Sequence, residues 1–449
     1  MMGANWQEEY KRKLTTYEEA AKLVRSGDVV GTALGTGSCS GDMLEAIINR
    51  HEELTDVKIT DSIQVYPSRL YDPKFMAQIQ GRIDHMPIFG IITIRKMYQE
   101  KLSDFWPATT LDAGDKYADR LDVFAFMTSR PNKHGYVNLG PTCFYTLEAI
   151  RGGRERGHLR TVIAEVNDQM PIVFGDNWMH ISEFDCIIER SAPIPAFKRG
   201  EASEVEQRIG EYVLELINDG DTIQMGLGGI SEAVAAGLRG RKHLGILTEM
   251  LPLALPQLVE EGIVDNSRKP FYKGISVASF VLGDQALYEY ISENPSCQIF
   301  PASHTNDPRF IAQHPNMVAM NTSLMIDFSG QSTCEGVGHT QVSGVGGQLD
   351  FLIGAYWSQG GKGINMLSAT RTLADGTLVS NIVPELPPGT PVSVPRTFTN
   401  YVITEFGIAK LRYKSRRERA EELISIAHPD LRGELRDALR TRFYPGSGK

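Results

Sequence analysis

The sequence has few cysteines, and their spacing is not that of a metal site or a disulfide framework. Five cysteines are spread over 449 residues, and no two of them are spaced as CxxC. Zinc sites and small disulfide-linked scaffolds both use closely spaced cysteines, and a disulfide framework uses an even number. We therefore expect reduced, buried thiols in a cytoplasmic protein and no bound metal.

Long apolar runs are also missing. A helix that spans a membrane needs about 20 consecutive apolar residues, whereas the longest runs here, such as MPIFGIITI and ISVASFVLG, are much shorter. The first residues, MMGANWQEEYKRKL, carry a charge every few positions and contain no apolar segment of a signal peptide. The sequence predicts a soluble chain with no signal peptide and no membrane partner.

Positive charge is not in excess. The chain has 46 Lys and Arg against 55 Asp and Glu, a formal net charge of -9. Binding to nucleic acid relies on Lys and Arg that neutralise phosphates, so nucleic acid is excluded as a partner. Any polyanionic ligand must instead be held by a local site.

The nucleotide-binding motifs are incomplete. The segment GLGGISEAV, residues 226–234, has neither the GKS or GKT of a P-loop nor the last glycine of the dinucleotide fingerprint. This argues against a nicotinamide-dependent dehydrogenase. The segment is either a tight strand-to-helix turn or a loop whose free N–H groups hold an anionic oxygen.

The sequence does contain the patterning of an α/β enzyme with more than one domain. Helix-period segments alternate with short β-branched runs that end in glycines, as in VEQRIGEYVLELINDGD followed by TIQMGLGG. This alternation indicates mainly parallel sheets. Prolines and charges in SAPIPAFKRGEA interrupt the periodicity. We predict an N-terminal domain over 1–190, a linker over 191–202 and a C-terminal domain over 203–449.

Two segments of the chain resemble each other. LVRSGDVVGTALGTG and LINDGDTIQMGLGG share a helix end, a Gly-Asp turn, a strand and a glycine loop. Each is followed by a further short strand that ends in an acid, Asp61 or Glu249. The halves are either related domains or alike by chance, because this unit is common in α/β proteins. Ligands of open parallel sheets bind beyond the carboxyl ends of the strands, where both acids would lie.

Two further glycine clusters stand close together in the second half, SGVGGQLDF at 343–351 and QGGKG at 359–363. Lys362, surrounded by glycines, suits a phosphate or pyrophosphate group. A solvated loop lysine is the alternative.

Seven blocks, taken together and in order, resemble the acetyl-CoA hydrolase/transferase family, in its branch of 4-hydroxybutyrate and butyryl-CoA:acetate CoA-transferases. The resemblance covers nearly the whole chain. It implies two related open α/β domains with mainly parallel sheets and the active site between them. It also implies coenzyme A (CoA) as cosubstrate, with no tightly bound cofactor and no metal. The blocks are KHGYVNLGP, AEVNDQMP with GDNWMHISEFD, QMGLGGISEAV, GILTEM, TNDPRFIAQHPNMVAMN, SGVGGQLDF and YVITEFGIAKLRYKSRRERAEELISIAHPDLR.

The resemblance assigns roles to individual residues. Glu249 of GILTEM falls on the catalytic glutamate of the family, within the predicted C-terminal domain. Asn306, Gly347 and Lys362 match further positions that contact the thioester or CoA, and Ser343 matches less closely. The CoA-binding loop falls on Gln224, Met225, Gly226, Leu227, Gly228 and Gly229.

The activity implied is transfer of CoA from an acyl-CoA to a free carboxylate of the 4-hydroxybutyrate, butyrate or acetate type. The family reaction is ping-pong and passes through a glutamyl-CoA thioester, here on Glu249. Three alternatives stay open: a succinyl-CoA:dicarboxylate CoA-transferase of the itaconate type, an acyl-CoA hydrolase and a CoA-sensing protein without turnover. The glutamate argues against the sensor. We expect a cytoplasmic homodimer or higher homo-oligomer whose partners are acyl-CoA and small carboxylic acids.

Overall fold

The computed structural model describes residues 5–197, 200–226 and 228–443. It has the mixed α/β fold with mainly parallel sheets that the sequence predicts. The chain divides into two compact units, of which the first covers the N-terminal part up to the predicted linker. The first unit also includes Val277–Thr305 and Gln341–Gly346, two segments of the predicted C-terminal domain. The predicted division of the chain into two domains joined by a linker at 191–202 therefore stays a prediction.

The first unit contains a six-stranded parallel sheet. Its strands lie across the sheet in the order β3-β2-β1-β4-β5-β6, and all neighbouring pairs are parallel. Every residue of β1 and of β4 is buried, which is typical of strands covered on both faces. The strands are β1 Val29–Leu34, β2 Val57–Ser62, β3 Ile83–His85, β4 Val123–Thr128, β5 Thr161–Asn167 and β6 Cys186–Arg190.

Helices with one apolar face accompany this sheet. The helix Gly41–Ile48 begins at Ser40, whose hydroxyl accepts the N–H of Met43, a favourable N-cap. The other α-helices of the first unit are Trp6–Lys13, Tyr17–Ala21, Pro73–Ile79, Arg95–Gln99, Ala113–Ala118, Thr146–Glu155, Gln285–Ile291 and Ala302–Thr305. Its 3-10 helices are Gly35–Gly37, Arg69–Tyr71, Ile92–Ile94 and Ile181–Glu183.

The second unit contains its own six-stranded sheet, in the order β8-β7-β9-β10-β11-β12. The pairs from β8 to β11 are parallel, and β12 is an antiparallel strand at the edge. The strands are β7 Thr222–Gln224, β8 Gly245–Ile246, β9 Met317–Thr322, β10 Lys362–Met366, β11 Tyr401–Thr404 and β12 Gly407–Lys410.

The amphipathic helix predicted after the linker is present as Glu204–Leu214. It begins with a capping box between Ser203 and Glu206, the local signal that starts a helix at this point. The other α-helices of this unit are Gly229–Gly237, Leu255–Glu260, Pro308–Ala312, Gln348–Trp357, Arg416–Ser425 and Arg432–Ala438, with a 3-10 turn at Pro429–Leu431 and a π turn at Leu439–Phe443.

The two sheets share a strand order, which supports the predicted relation between the halves. In each sheet the second strand lies on one side of the first, while the strands from β4 onward in the first sheet and from β9 onward in the second lie on the other side. A parallel bridge between Leu244 and Val264 occupies the place that β3 takes in the first sheet. Each sheet thus has a point where the strand order reverses, and such points are where open α/β sheets bind ligands.

The remaining strands form small sheets and hairpins. The five cysteines, all within the described residues, form no disulfide, and burial raises the pKa of the Cys297 thiol to about 11. Within the described ranges, no helix combines the length and the apolar character needed to span a membrane. The remaining strands are Tyr136–Asn138, Phe174–Gly175, Trp178–His180, Ser276–Ala278, Cys297–Ile299, Met325–Asp327, Ser332–Thr333, Gly336–Val337, Thr340–Gln341, Thr370–Thr372, Leu378–Ser380 and Ile382–Val383.

Candidate active site

Glu249 lies just beyond the carboxyl end of β8 and is half-buried. The preceding residue, Thr248, is fully buried. Its hydroxyl donates to the carbonyl oxygen of Met225 at 3.0 Å and accepts the N–H of the same residue at 3.3 Å. Thr248 therefore ties the segment that carries Glu249 to the loop that follows β7, at the edge of the sheet where ligands are expected.

The side-chain amide of Asn306 donates to Oε2 of Glu249 at 3.1 Å. Asn306 is fully buried. The next residue, Asp307, starts the helix Pro308–Ala312, since its carboxylate accepts the N–H of Arg309. This cap fixes the backbone that carries the amide. A buried amide in this place is suited to stabilise negative charge on the glutamate oxygen.

Gly347 brings the backbone against the same carboxylate. A Cβ at this position would overlap Oε2 of Glu249 and the side-chain nitrogen of Asn306. The φ of Gly347 is -89°, so the close approach, and not the backbone conformation, requires glycine. Gly347 also precedes the ten-residue helix Gln348–Trp357. The N-terminal end of a helix favours an anion, and this helix begins beside the carboxylate.

The three glycines of the predicted CoA-binding loop differ in their surroundings and backbone conformation. A Cβ at Gly226 or Gly228 would meet no atom within 4 Å, so these positions face open space among the described residues. Gly228 also has a φ of +119°, which other residues rarely adopt. A Cβ at Gly229 would overlap the Glu206 carboxylate; there, helix packing explains the glycine.

Gln224 has a structural function in this loop. It is buried, and its side-chain oxygen accepts the backbone N–H of Met320 at 2.9 Å and the side-chain amide of Asn321 at 3.0 Å. These bonds join the ends of β7 and β9, where the strand order reverses. Leu227, which the sequence also predicts in the CoA-binding loop, lies outside the described residues.

Ser343 is grouped with the first unit. Its hydroxyl donates to the carbonyl oxygen of Gly90 at 2.8 Å. A Cβ at the neighbouring Gly344 would overlap the backbone of Ile88, so the segment packs tightly on that loop. The contact of Ser343 with CoA stays a prediction.

Lys362 lies away from Glu249. It is the first residue of β10 and pairs in register with Val318, at the amino end of parallel strands. Its ammonium group is 3.2 Å from the carboxylate of Asp221, which immediately precedes β7. Glu249 follows β8 at the opposite, carboxyl edge of the same sheet. The structure therefore does not bring Lys362 to the carboxylate, and its contact with CoA stays a prediction.

Asp61, the predicted counterpart of Glu249, is engaged on both oxygens. Oδ2 accepts the hydroxyl of Tyr71 at 2.8 Å, and Oδ1 lies 3.0 Å from Nε2 of His85 and also accepts the side-chain amide of Gln64. The Asp61 side chain is 3% exposed. Nδ1 of His85 in turn meets the hydroxyl of Ser103 at 2.6 Å. A carboxylate enclosed in this way is placed to hold the fold together.

We expect Asp61→Asn to keep covalent chemistry on Glu249 and to lose stability. An amide at this position leaves buried donors without acceptors, which costs about 1 to 3 kcal/mol. Denaturant unfolding measures the loss, and intact-mass spectrometry after incubation with acyl-CoA measures the adduct. A variant that folds but forms no adduct would transfer the covalent role to Asp61.

Gln348 is a site residue that the sequence did not single out. It follows Gly347, is buried, and its amide nitrogen donates to Ser323 Oγ and Asn365 Oδ1, each at 3.1 Å. These bonds fix the start of the helix that faces Glu249. The sequence feature that could have identified Gln348 is its position as a polar residue in the glycine-rich segment GVGGQLDF. In the part of the chain that the structure describes, no group of three metal-ligating side chains is present.

Two family profiles match the sequence of this chain. The N-terminal domain of the acetyl-CoA hydrolase/transferase family matches residues 2–197, and the C-terminal domain of that family matches residues 283–439. The chain therefore belongs to the acetyl-CoA hydrolase/transferase family, which confirms the predicted resemblance.

Three relatives match over nearly the whole length of this chain. A succinyl-CoA:cyclohexane-1-carboxylate CoA transferase from Geobacter metallireducens is 36% identical over 97% of this chain and 97% of its own length. A 4-hydroxybutyrate coenzyme A transferase from Clostridium kluyveri is 33% identical over 98% of this chain and 100% of its own length. The crystal structure of RipA from Yersinia pestis superposes with a TM-score of 0.87 at 32% identity, over 98% of this chain and 99% of that one.

Proposed function

We propose that this protein moves CoA from an acyl-CoA to a free carboxylate and that Glu249 is the nucleophile. One observation carries the proposal: a half-buried carboxylate lies at the ligand-binding edge of a parallel sheet, with the Asn306 amide on Oε2 and the backbone of Gly347 against it. Exchange of CoA between two carboxylates is nearly thermoneutral. It needs a nucleophile that preserves the activation of the acyl group, and a carboxylate does this.

The first half-reaction has two steps on Glu249. Its carboxylate attacks the thioester carbonyl carbon, a C–O bond forms and the C–S bond breaks, which gives a mixed anhydride and CoA thiolate. The thiolate then attacks the glutamyl carbonyl carbon and displaces the first carboxylic acid as its carboxylate. A glutamyl-CoA thioester remains. The acceptor carboxylate reverses both steps and leaves as the new acyl-CoA.

Asn306 is suited to the second of these steps. When thiolate attacks the glutamyl carbonyl, negative charge develops on an oxygen of Glu249, and the amide of Asn306 is already bonded to Oε2. Such a donor can contribute about 3 kcal/mol to the transition state. Backbone N–H groups near Gly228, Gly229 and Gly347 are the other proposed donors, for the oxygen of the substrate thioester.

An assay with and without acceptor tests the proposal. Acetyl-CoA plus butyrate should give butyryl-CoA and acetate, whereas acetyl-CoA alone should release little free CoA once the covalent intermediate has formed. Steady release of CoA without acceptor would identify a hydrolase, in which water reaches the intermediate. Absence of both reactions with every acyl-CoA tested would contradict the enzyme proposal.

We propose monocarboxylates of the 4-hydroxybutyrate, butyrate and acetate type as the acyl groups. The relative from Clostridium kluyveri, named for 4-hydroxybutyrate, supports this choice. A panel of acetate, butyrate, 4-hydroxybutyrate, succinate and itaconate, each offered with acetyl-CoA and succinyl-CoA, tests it through kcat/KM. A preference for succinyl-CoA with a dicarboxylate would replace it. The cytoplasmic homo-oligomer predicted from the sequence stays a prediction.

We expect Gly226→Val to raise the KM for acyl-CoA by about tenfold or more, because a branched side chain fills the space that the ligand would use. Gly433→Val is the matched control, since a Cβ at Gly433 also meets no atom within 4 Å but lies in the C-terminal helix Arg432–Ala438. Steady-state kinetics and thermal unfolding measure both variants. An unchanged KM in a folded Gly226→Val would remove CoA from this loop.

A further inference from the structure

Lys269 is fully buried, with 0% of its surface exposed. Its ammonium group donates to two backbone carbonyl oxygens, that of Ile246 at 2.8 Å and that of Ile275 at 2.7 Å. Among the described residues, no carboxylate lies within ion-pair distance of it. Burial alone lowers its pKa from the ordinary 10.5 to about 7. A lysine held in this way costs stability, because its charge is removed from water without a counter-ion.

The backbone of β8 is shaped to accept this side chain. A Cβ at Gly245 would lie 2.6 Å from Cγ and 2.7 Å from Cδ of Lys269. Glycine at this position therefore lets the aliphatic part of Lys269 pass directly against the strand. The ammonium group then reaches Ile246, the last residue of β8.

Beyond the bridge between Leu244 and Val264, two side chains take the place of a neighbouring strand at the end of β8. Ile246 receives Lys269 on its carbonyl oxygen, and its N–H donates to Oδ1 of Asn266 at 2.8 Å. The amide of Asn266 donates in turn to Oγ of Ser276 at 3.1 Å. In the first unit a regular strand, β3, fills the equivalent place. The end of β8 is thus fixed by side chains, three residues before Glu249.

The segment that leads to Glu249 is consequently held from both sides. Thr248 fixes it to Met225 on the side of β7, and Lys269 with Asn266 fixes it on the open side. We propose that Lys269 is a positioning residue that sets the direction in which the chain leaves β8 and so aims the Glu249 carboxylate. This inference rests on the proposed nucleophilic role of Glu249.

Charged groups on the neighbouring segments are already paired with others. Asp221, before β7, is paired with Lys362, and Asp265 with His243. The charge of Lys269 is therefore not needed to balance an acid. A buried apolar side chain of similar size would make the fold more stable, and a lysine in its place is the kind of compromise that activity imposes on stability.

The test is Lys269→Met, which keeps the length and volume of the side chain and removes its donors. We expect kcat to fall by about tenfold or more, because a misaimed nucleophile loses near-attack geometry, while the KM for acyl-CoA changes less than about threefold. Adduct formation on Glu249 should slow by the same factor as kcat. The control is Lys13→Met, which removes a lysine that donates to the carbonyl oxygen of Ile181 at 2.9 Å.

A stability measurement separates positioning from a merely structural role. Lys269→Met should unfold at the same or a higher temperature than the wild type at pH 7. The stability advantage of the variant over the wild type should shrink as pH rises toward 10. In this range the unfolded wild type still binds the Lys269 proton, whereas the folded wild type has lost it, so a rise in pH favours the folded wild type. The wild type thus gains stability relative to the variant between pH 7 and 10.

Three results would contradict the positioning role of Lys269, and a fourth would contradict the proposed function. A folded Lys269→Met with wild-type kcat, or one that fails to fold, would overturn the positioning role. Lys269→Gln, whose side-chain amide still carries N–H donors, should lose less kcat than Lys269→Met, and an equal or larger loss would also count against the positioning role. If the wild type itself forms no adduct on Glu249, the proposed function fails instead.

Discussion

Glu249→Gln should abolish transfer of CoA, with kcat lower by several orders of magnitude, as is found when a covalent nucleophile is removed. Glutamine has nearly the same shape, so the fold and the contact with Asn306 at the carbonyl oxygen can persist. The neutral amide cannot attack the thioester. Transfer from acetyl-CoA to butyrate, followed by chromatography of the CoA esters, measures the loss.

The control for this variant is Glu260→Gln, which changes an exposed acid of the helix Leu255–Glu260 by the same atoms. It should keep wild-type kcat and KM. Thermal unfolding of both variants separates a chemical effect from a folding defect. A Glu249→Gln protein that is folded and transfers CoA at more than about a hundredth of the wild-type rate would contradict the assignment of the nucleophile.

Gly347→Ala should lower kcat by about two orders of magnitude or more. A single methyl group at this position overlaps Oε2 of Glu249 and the amide nitrogen of Asn306, so the carboxylate must move or the helix start must shift. The backbone conformation of Gly347 suits alanine, so backbone strain does not contribute to the expected loss of kcat. Steady-state kinetics give kcat, and single-turnover mass spectrometry gives the rate of adduct formation.

Gly433→Ala is the control for Gly347→Ala, because it adds the same methyl group where no atom lies within 4 Å. It should keep full activity. If Gly347→Ala is folded and as active as the control, the contact between this backbone and the carboxylate is not part of the working site.

Much of the fold was predictable from local patterns. Short β-branched runs, glycine turns and amphipathic helices indicated parallel sheets, and the similarity around Gly27 and Gly220 agrees with the strand order that the two sheets share. Glu249 could be selected only by its motif, since the chain has 55 acidic residues. Its contacts with Asn306 and Gly347 join residues far apart in sequence, and local spacing carries no information about such contacts.

The position of Lys362 in the sheet could not be predicted from its neighbours in sequence. Its glycine-rich surroundings suggested contact with a phosphate, with a solvated loop lysine as the alternative. In the structure Lys362 begins β10 at the amino edge of the sheet, opposite Glu249, and its contact with CoA stays a prediction. The direction of the strand decides which edge a residue occupies. Lys269 shows the converse: it stands in the polar stretch NSRKPFYKG, most of which is exposed, and only tertiary packing against β8 buries the lysine itself.

The measurement that tests the central claim most directly is the intact mass of the protein after incubation with acyl-CoA and no acceptor. The proposed mechanism predicts a CoA adduct that hydroxylamine removes, that acetate discharges as acetyl-CoA, and that peptide mapping places on Glu249 within GILTEM. No adduct on Glu249 under single-turnover conditions, while transfer between two carboxylates still proceeds, would contradict it.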